Sequence, residues 1–413
     1  MVQERTPHPT HGHGIPLPLV LALAGVIIVL ATIVGVGAAR YAQAVPPLQS
    51  IVTFDQNEPS AATPAGLPWP SEGQAALAVE GLGLVASHGV ESGPQPIAST
   101  TKIMTAYLVL EHHPLAIGEP GPTLTLTATD EARYGDAIND DESAVEVKEG
   151  EQITESELLQ GMLLPSANNF AEILAAWDAG SIPAFVDAMN AKAQALGMAE
   201  THFDDTSGLS AKTVSSATDM LILAQAAMAN PVFAQVVSER TTTVPVAGEV
   251  KNTNELLAEP GVIGIKTGNT DEAGDCLIFA AVIGSGDSAR RVYGVVLGQP
   301  TRAASFDVPR QLLAAVPPWI TTTHVISKGD SVGGYVADWG ATTRVTAASS
   351  IDVTTWAGTP IQTTVSLDKL STSVSAGQKV GQLTVHAGPQ EFHTDVIAQR
   401  AIAAPSSAWR IKR

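Results

Sequence analysis

Cysteine, basic residues and long apolar runs are all scarce in this chain. A single cysteine, Cys276, stands among 413 residues, so no disulfide can form within the chain. It sits in the apolar run Cys276-Leu277-Ile278-Phe279-Ala280-Ala281-Val282-Ile283, where a thiol serves as core filling. Lysine and arginine total 22 against 41 acidic residues, a formal net charge of −19. That balance argues against a nucleic-acid partner and favours solubility. Nothing in the pattern calls for a metal or a cofactor. His8, His11 and His13 form a tract near the start, which reads as a polar tail better than as a metal trap. Internal repeats are absent.

Only one uncharged apolar run is long enough to cross a bilayer, Leu17 to Ala39. At ~1.5 Å per residue, a helix of that length covers the ~30 Å hydrocarbon core. A cleaved secretory peptide is the alternative, since Ala42-Gln43-Ala44 fits a small-x-small cleavage site. The run exceeds the ~7–15 apolar residues of a signal core, however, which favours an uncleaved anchor. Residues 1–16 would then be a cytoplasmic tail, residues 17–39 a single membrane span, and the working domains extracytoplasmic, or secreted if cleavage occurs. Arg5 on one side and Arg40 on the other mark the orientation weakly.

Proline-rich residues 40–70 read as a linker. From residue 71 to 316 helical and strand signals alternate. Thr154-Glu155-Ser156-Glu157 and Ser216-Ala217-Thr218-Asp219 are capping-box patterns, and Ser181 with Pro183 opens a helix that Gly197 stops. Strand-like segments fall at Ala76–Val85, Thr241–Val246, Val262–Lys266, Leu277–Gly284 and Val292–Leu297, with a last helix over Thr301–Val316. Strands at both ends with helices between predict an α+β fold, an antiparallel sheet flanked by helices. Pro317-Pro318 marks a boundary. Residues 319–413 are rich in Thr, Ser, Val and Gly with alternating runs at Thr343–Ala347 and Lys379–His386, the pattern of a small all-β domain.

Three short motifs carry chemistry. In Ser99-Thr100-Thr101-Lys102 the hydroxyl and the amine are three residues apart, on one face if Ser99 opens a helix. Ile103, Ala106, Tyr107 and Leu110 follow helical spacing to about Glu111. Met104, Leu108 and Val109 make that helix apolar nearly all round, as for a buried one. Ser99 in the first turn would set unpaired N–H groups and the positive dipole end beside an attacked carbonyl. Lys102 could act as a base only if burial and a neighbouring cation lowered its pKa from ~10.4. Ser366-Leu367-Asp368-Lys369 repeats the spacing in the β-rich tail without a helical period, and is read as a decoy. Ser166-Ala167-Asn168 stands between two helices, where its side chains can point together into a cleft, cap the second helix as is commoner for such residues, or do both. Lys266-Thr267-Gly268 closes a β-branched run. An exposed strand there could pair with an extended peptide, Gly268 would permit close approach, and Lys266 would repel charge on Lys102 and attract a carboxylate. Alone, the tripeptide reads better as a solvated lysine at a strand end.

With these motifs in this order, the chain resembles the D-alanyl-D-alanine carboxypeptidases among the low-molecular-mass penicillin-binding proteins. The resemblance spans residues 70–316 and includes Ala98–Leu110, Gly161–Ala171, Thr201–Leu209 and Gly264–Leu277. It implies a penicillin-recognising, β-lactamase-like transpeptidase fold and a serine peptidase that removes the terminal D-alanine from peptidoglycan stem pentapeptides. Ser99 would be the acylated nucleophile, Lys102 its base and Ser166 the proton relay. Asn168 would hold the substrate amide, and Lys266, Thr267 and Gly268 would engage its carboxylate end. The backbone N–H groups of Ser99 and Asn269 would bind the oxyanion. β-Lactams would be covalent inhibitors.

Departures from the family pattern are Ser207 where a histidine is usual before Gly208-Leu209, and Asn169-Phe170 in place of Asp-Ala. Arg302 is the nearest candidate for a carboxylate-gripping arginine. Two rival readings remain: a β-lactamase, and a catalytically silent wall-binding module. A class A β-lactamase would need a Glu-x-x-x-Asn pattern downstream of the second motif, and no such pattern occurs between Asn168 and Lys266.

Overall fold

The computed structural model describes residues 16–54 and 66–413. The histidine tract and most of the expected cytoplasmic tail lie outside the described residues. Helix α1 (Leu17–Ala42) has no buried residue. It exposes an apolar surface on all sides, three residues beyond the expected span.

The next segment corrects the linker reading. Gln49–Val52 (β1) pairs antiparallel with Ser331–Val336 and forms the edge of a six-stranded C-terminal sheet. The prolines around it had masked a short strand.

The half that carries the three motifs is built on a five-stranded antiparallel sheet. Its strands are β2 (Gln74–Val79), β3 (Gly83–His88), β4 (Val262–Thr270), β5 (Gly274–Ile283) and β6 (Arg290–Gln299), in the order β4-β5-β6-β2-β3. The single strand expected at Ala76–Val85 is therefore a hairpin, turned at Gly81 with φ +81°. Thr241–Val244 does not join this sheet but pairs with Gly248–Lys251. Strand β4 is an edge strand, its other side left to the helical region.

Helices form the second layer: α2 (Lys102–His112), α3 (Glu155–Leu163), α4 (Asn168–Ala179) and α5 (Ala217–Met228). Thr154 and Glu157 form the reciprocal capping box that opens α3, and Ser216 caps α5 through the N–H of Asp219. Each such cap stabilises its helix by ~1 kcal/mol. In α2, Ile103, Met104, Ala106, Leu108, Val109 and Leu110 are all buried, so the helix runs through the core rather than along its surface. The sheet's opposite face packs on α6 (Arg302–Ala315), capped by Thr301.

The C-terminal sheet encloses its own core around Val332, Tyr335, Val345, Val380, Leu383 and Val396. Trp319 stacks on Trp356 at 5.1 Å where the two halves meet. The final helix, α7 (Ser407–Lys412), returns to the foot of α1, where the Arg410 guanidinium lies 4.2 Å from the Tyr41 ring centre.

Candidate active site

Ser99 sits in a 3₁₀ turn, Ala98–Thr101, that runs straight into α2. The Thr100 and Thr101 hydroxyls donate to the carbonyls of Ile97 and Ala98, tightening the turn from inside. Ala98 holds φ +46°, a conformation that costs a non-glycine residue ~1 kcal/mol or more. The turn aims Ser99 Oγ at Lys102 Nζ, 2.7 Å away, as the spacing of three predicts.

Lys102 is fully buried. Its Nζ also lies 2.7 Å from Asn168 Oδ1 and 3.0 Å from the Ser207 carbonyl. Burial pushes its pKa down to about 7, while the carboxylates of Asp205 and Glu142 pull the other way. A neutral amine has two N–H donors and one lone pair. In that neutral form the two carbonyl-type acceptors would take the donors, which would leave the lone pair facing the Ser99 hydroxyl.

The solvated alternative for Lys266 fails. Lys266 is buried, not solvated, and donates to Ser166 Oγ and to the Thr267 carbonyl, both at 2.9 Å. Its own pKa is driven well down by burial and by charge on Lys102. Burial alone lowers the Lys102 pKa, without the expected contribution from a cation at Lys266.

Ser166 and Asn168 approach from the turn between α3 and α4. Ser166 adopts φ +70°. Ala167, not Ser166 or Asn168, occupies the N-cap position of α4, and no side chain caps that helix. The capping alternative therefore fails, and both polar side chains point into the site. Asn168 Nδ2 donates to Glu142 Oε2 at 2.8 Å.

Strand β4 forms the opposite wall. The Thr267 hydroxyl lies 2.6 Å from that of Thr253. Ser99, Ser166, Asn168, Thr267, Gly268 and Asn269 all line one cleft of about 540 Å³, with Arg302 at its edge. Arg302 pairs with Glu255 at 3.0 Å and donates to the Thr253 carbonyl. All eight residues assigned from the sequence thus converge, Lys102 and Lys266 from beneath the cleft floor. The decoy Ser366 lies in the strand Ile361–Leu367 of the C-terminal sheet.

Several contributors escaped the sequence reading. Asp205 accepts from the N–H groups of Gly208, Leu209 and Ser210 and from the Ser207 and Thr213 hydroxyls. It shapes the loop whose Ser207 carbonyl holds Lys102. Asn169 brackets Val145 through both its backbone groups. Among the described residues no cluster of His, Cys, Asp or Glu could hold a metal ion.

Comparison with known proteins gives a consistent set of matches. The family model described as D-alanyl-D-alanine carboxypeptidase matches residues 73–301. D-alanyl-D-alanine carboxypeptidase DacD of Salmonella typhimurium is 28% identical over 319 residues, 74% of this chain and 79% of the relative. The D-alanyl-D-alanine carboxypeptidase of Streptomyces sp. strain K15 is 35% identical over 217 residues, 48% of this chain and 71% of the relative. Penicillin binding protein 5 from Haemophilus influenzae superposes with a TM-score of 0.59 at 23% identity, covering 83% of this chain and 99% of that one, a likeness of fold. The Streptomyces K15 DD-transpeptidase gives 0.54 at 28% identity, over 60% of this chain and 98% of that one.

Proposed function

The chain belongs to the D-alanyl-D-alanine carboxypeptidase family, and from that premise we propose how its own residues carry the reaction. It is a serine-type carboxypeptidase that acts on peptidoglycan, with the penicillin-recognising fold. The substrate is a stem peptide ending in D-Ala-D-Ala.

The observation that carries the mechanism is the 2.7 Å contact between Ser99 Oγ and a buried Lys102 with a pKa of about 7. The Lys102 lone pair takes the Ser99 proton as Oγ attacks the carbonyl of the penultimate D-alanine. Charge builds on the carbonyl oxygen, where the backbone N–H groups of Ser99 and Asn269 receive it. The proton held by Lys102 passes through the Ser166 hydroxyl, backed by Lys266 Nζ at 2.9 Å, to the departing D-alanine amine, which leaves Lys102 neutral and Ser166 protonated again. The C–N bond breaks and an acyl-Ser99 ester remains. A water then attacks the ester carbonyl and gives its proton to Lys102. The tetrahedral adduct expels Ser99 Oγ, which regains its proton.

Substrate recognition follows from the remaining residues. The edge of β4 pairs with the extended peptide. Asn168 faces the substrate amide, while Thr267, Arg302 and a Lys266 protonated on binding engage the terminal carboxylate. Gly268 leaves room for both. A penicillin, whose carboxylate and strained amide mimic this end, acylates Ser99 and stays. Helix α1 anchors the protein as a single span with the catalytic domain outside.

Mass spectrometry of the intact protein after incubation with a labelled penicillin tests the assignment. A single adduct mapping to Ser99, absent from Ser99→Ala together with D-alanine release, is the expected result. Labelling that persists in Ser99→Ala would overturn it.

A further inference from the structure

Asn168 can present either its oxygen or its nitrogen to Lys102, and the choice decides where the lysine lone pair goes. With Oδ1 toward Lys102 Nζ, the amine donates to Asn168 and Ser207 and keeps its lone pair for Ser99. With the amide turned over, Nδ2 would compete for that lone pair and the base would face the wrong partner.

We propose that Glu142 is a positioning residue for the general base, fixing the Asn168 amide so that Lys102 faces Ser99. A carboxylate only accepts, so Glu142 Oε2, 2.8 Å from Asn168 Nδ2, permits one orientation alone. The inference rests on the acyl-serine reading above and extends it to a residue outside the three motifs.

The loop carrying Glu142 is built to hold it there. The Asn168 N–H donates to the Ser143 carbonyl at 2.7 Å. Asn169 Oδ1 accepts from the Val145 N–H and Asn169 Nδ2 donates to the Val145 carbonyl. Three bonds thus tie residues 143–145 to the first turn of α4, while Val145 and Val147 are buried. The asparagine that departs from the family pattern, Asn169, supplies two of them.

Glu142 also acts through its charge. Lys102 is faced by Asp205 and Glu142, which favour its protonation, and by Lys266 on β4. Behind Glu142 lie Glu172 on α4, paired with Arg133, and Asp136. Removing the Glu142 charge deprives Lys102 of one of its two favourable partners, so its titration moves to lower pH.

The test is the pH dependence of acylation by a penicillin in the full-length wild type, Glu142→Gln and Glu142→Ala. Glu142→Gln keeps an acceptor oxygen for Asn168. Its plateau rate should stay within about 3-fold of wild type while its acid limb moves down by about half a unit or more. Glu142→Ala frees the amide, and its plateau rate should fall by about 10-fold or more with non-covalent affinity little changed. An unmoved acid limb in Glu142→Gln, or a wild-type plateau in Glu142→Ala, would overturn the proposal. Failure of the wild type to label at Ser99 would instead sink the acyl-serine reading, so the two outcomes are separable.

Discussion

Gly268 on the sheet edge meets Ser99 backbone to backbone: a Cβ on Gly268 would stand 2.9 Å from the Ser99 nitrogen and 3.0 Å from that of Thr100. The contact joins the third motif to the first and sets the depth of the cleft. The atoms in the way belong to the main chain, so they cannot rotate aside as a side chain would.

Gly268→Ala should therefore push β4 away from the nucleophile's turn. Displacements of ~1 Å at a reacting centre cost about 100-fold. Acylation by a penicillin should drop by that order while circular dichroism stays native, since the rest of β4 keeps its register with β5. Wild-type acylation in this variant would show that the two backbones are not in functional contact.

Glu155, at the start of α3, makes a prediction about stability. It is fully buried, and neither of its carboxylate oxygens has a hydrogen-bond partner among the described residues. Burial, aided by Asp178 and Glu119, raises its pKa from 4.5 to about 7. Between those values the folded chain binds more protons than the unfolded one, so stability falls as pH rises through that window. Glu155→Gln removes this dependence. Its melting temperature should exceed that of wild type by about 2–4 °C at pH 8 and match it near pH 4.5. A variant that melts lower at pH 8 would show that the ionised carboxylate is paired.

Local periodicity made much of the site legible. Ser99 and Lys102 were readable because three residues along a helical turn bring side chains together, and the apolar surround of α2 foretold the burial that lets Lys102 give up its proton. The cap residues Thr154, Ser181 and Ser216 sat where the pattern put them. What stayed hidden depends on loops. Glu142 and Asp205 reach the site from segments with no period, and nothing in their sequence says which side chain they will meet. The burial of Lys266 could not be read from its own strand, because it is decided by the layer laid over it, here the α3–α4 turn carrying Ser166. The short β1 strand lay unseen among prolines, since its partner is almost 300 residues downstream.

Acylation depends on an uncharged amine beside the nucleophile, and the pH profile of the second-order acylation rate reads that amine directly. With the Lys102 pKa at about 7, the rate should fall tenfold per unit on the acid side and level off above neutrality. Lys102→Ala should lose both the rate and the limb while still binding the inhibitor. A wild-type profile still climbing toward pH 10 would mean that Lys102 is an ordinary ammonium and that another group accepts the Ser99 proton.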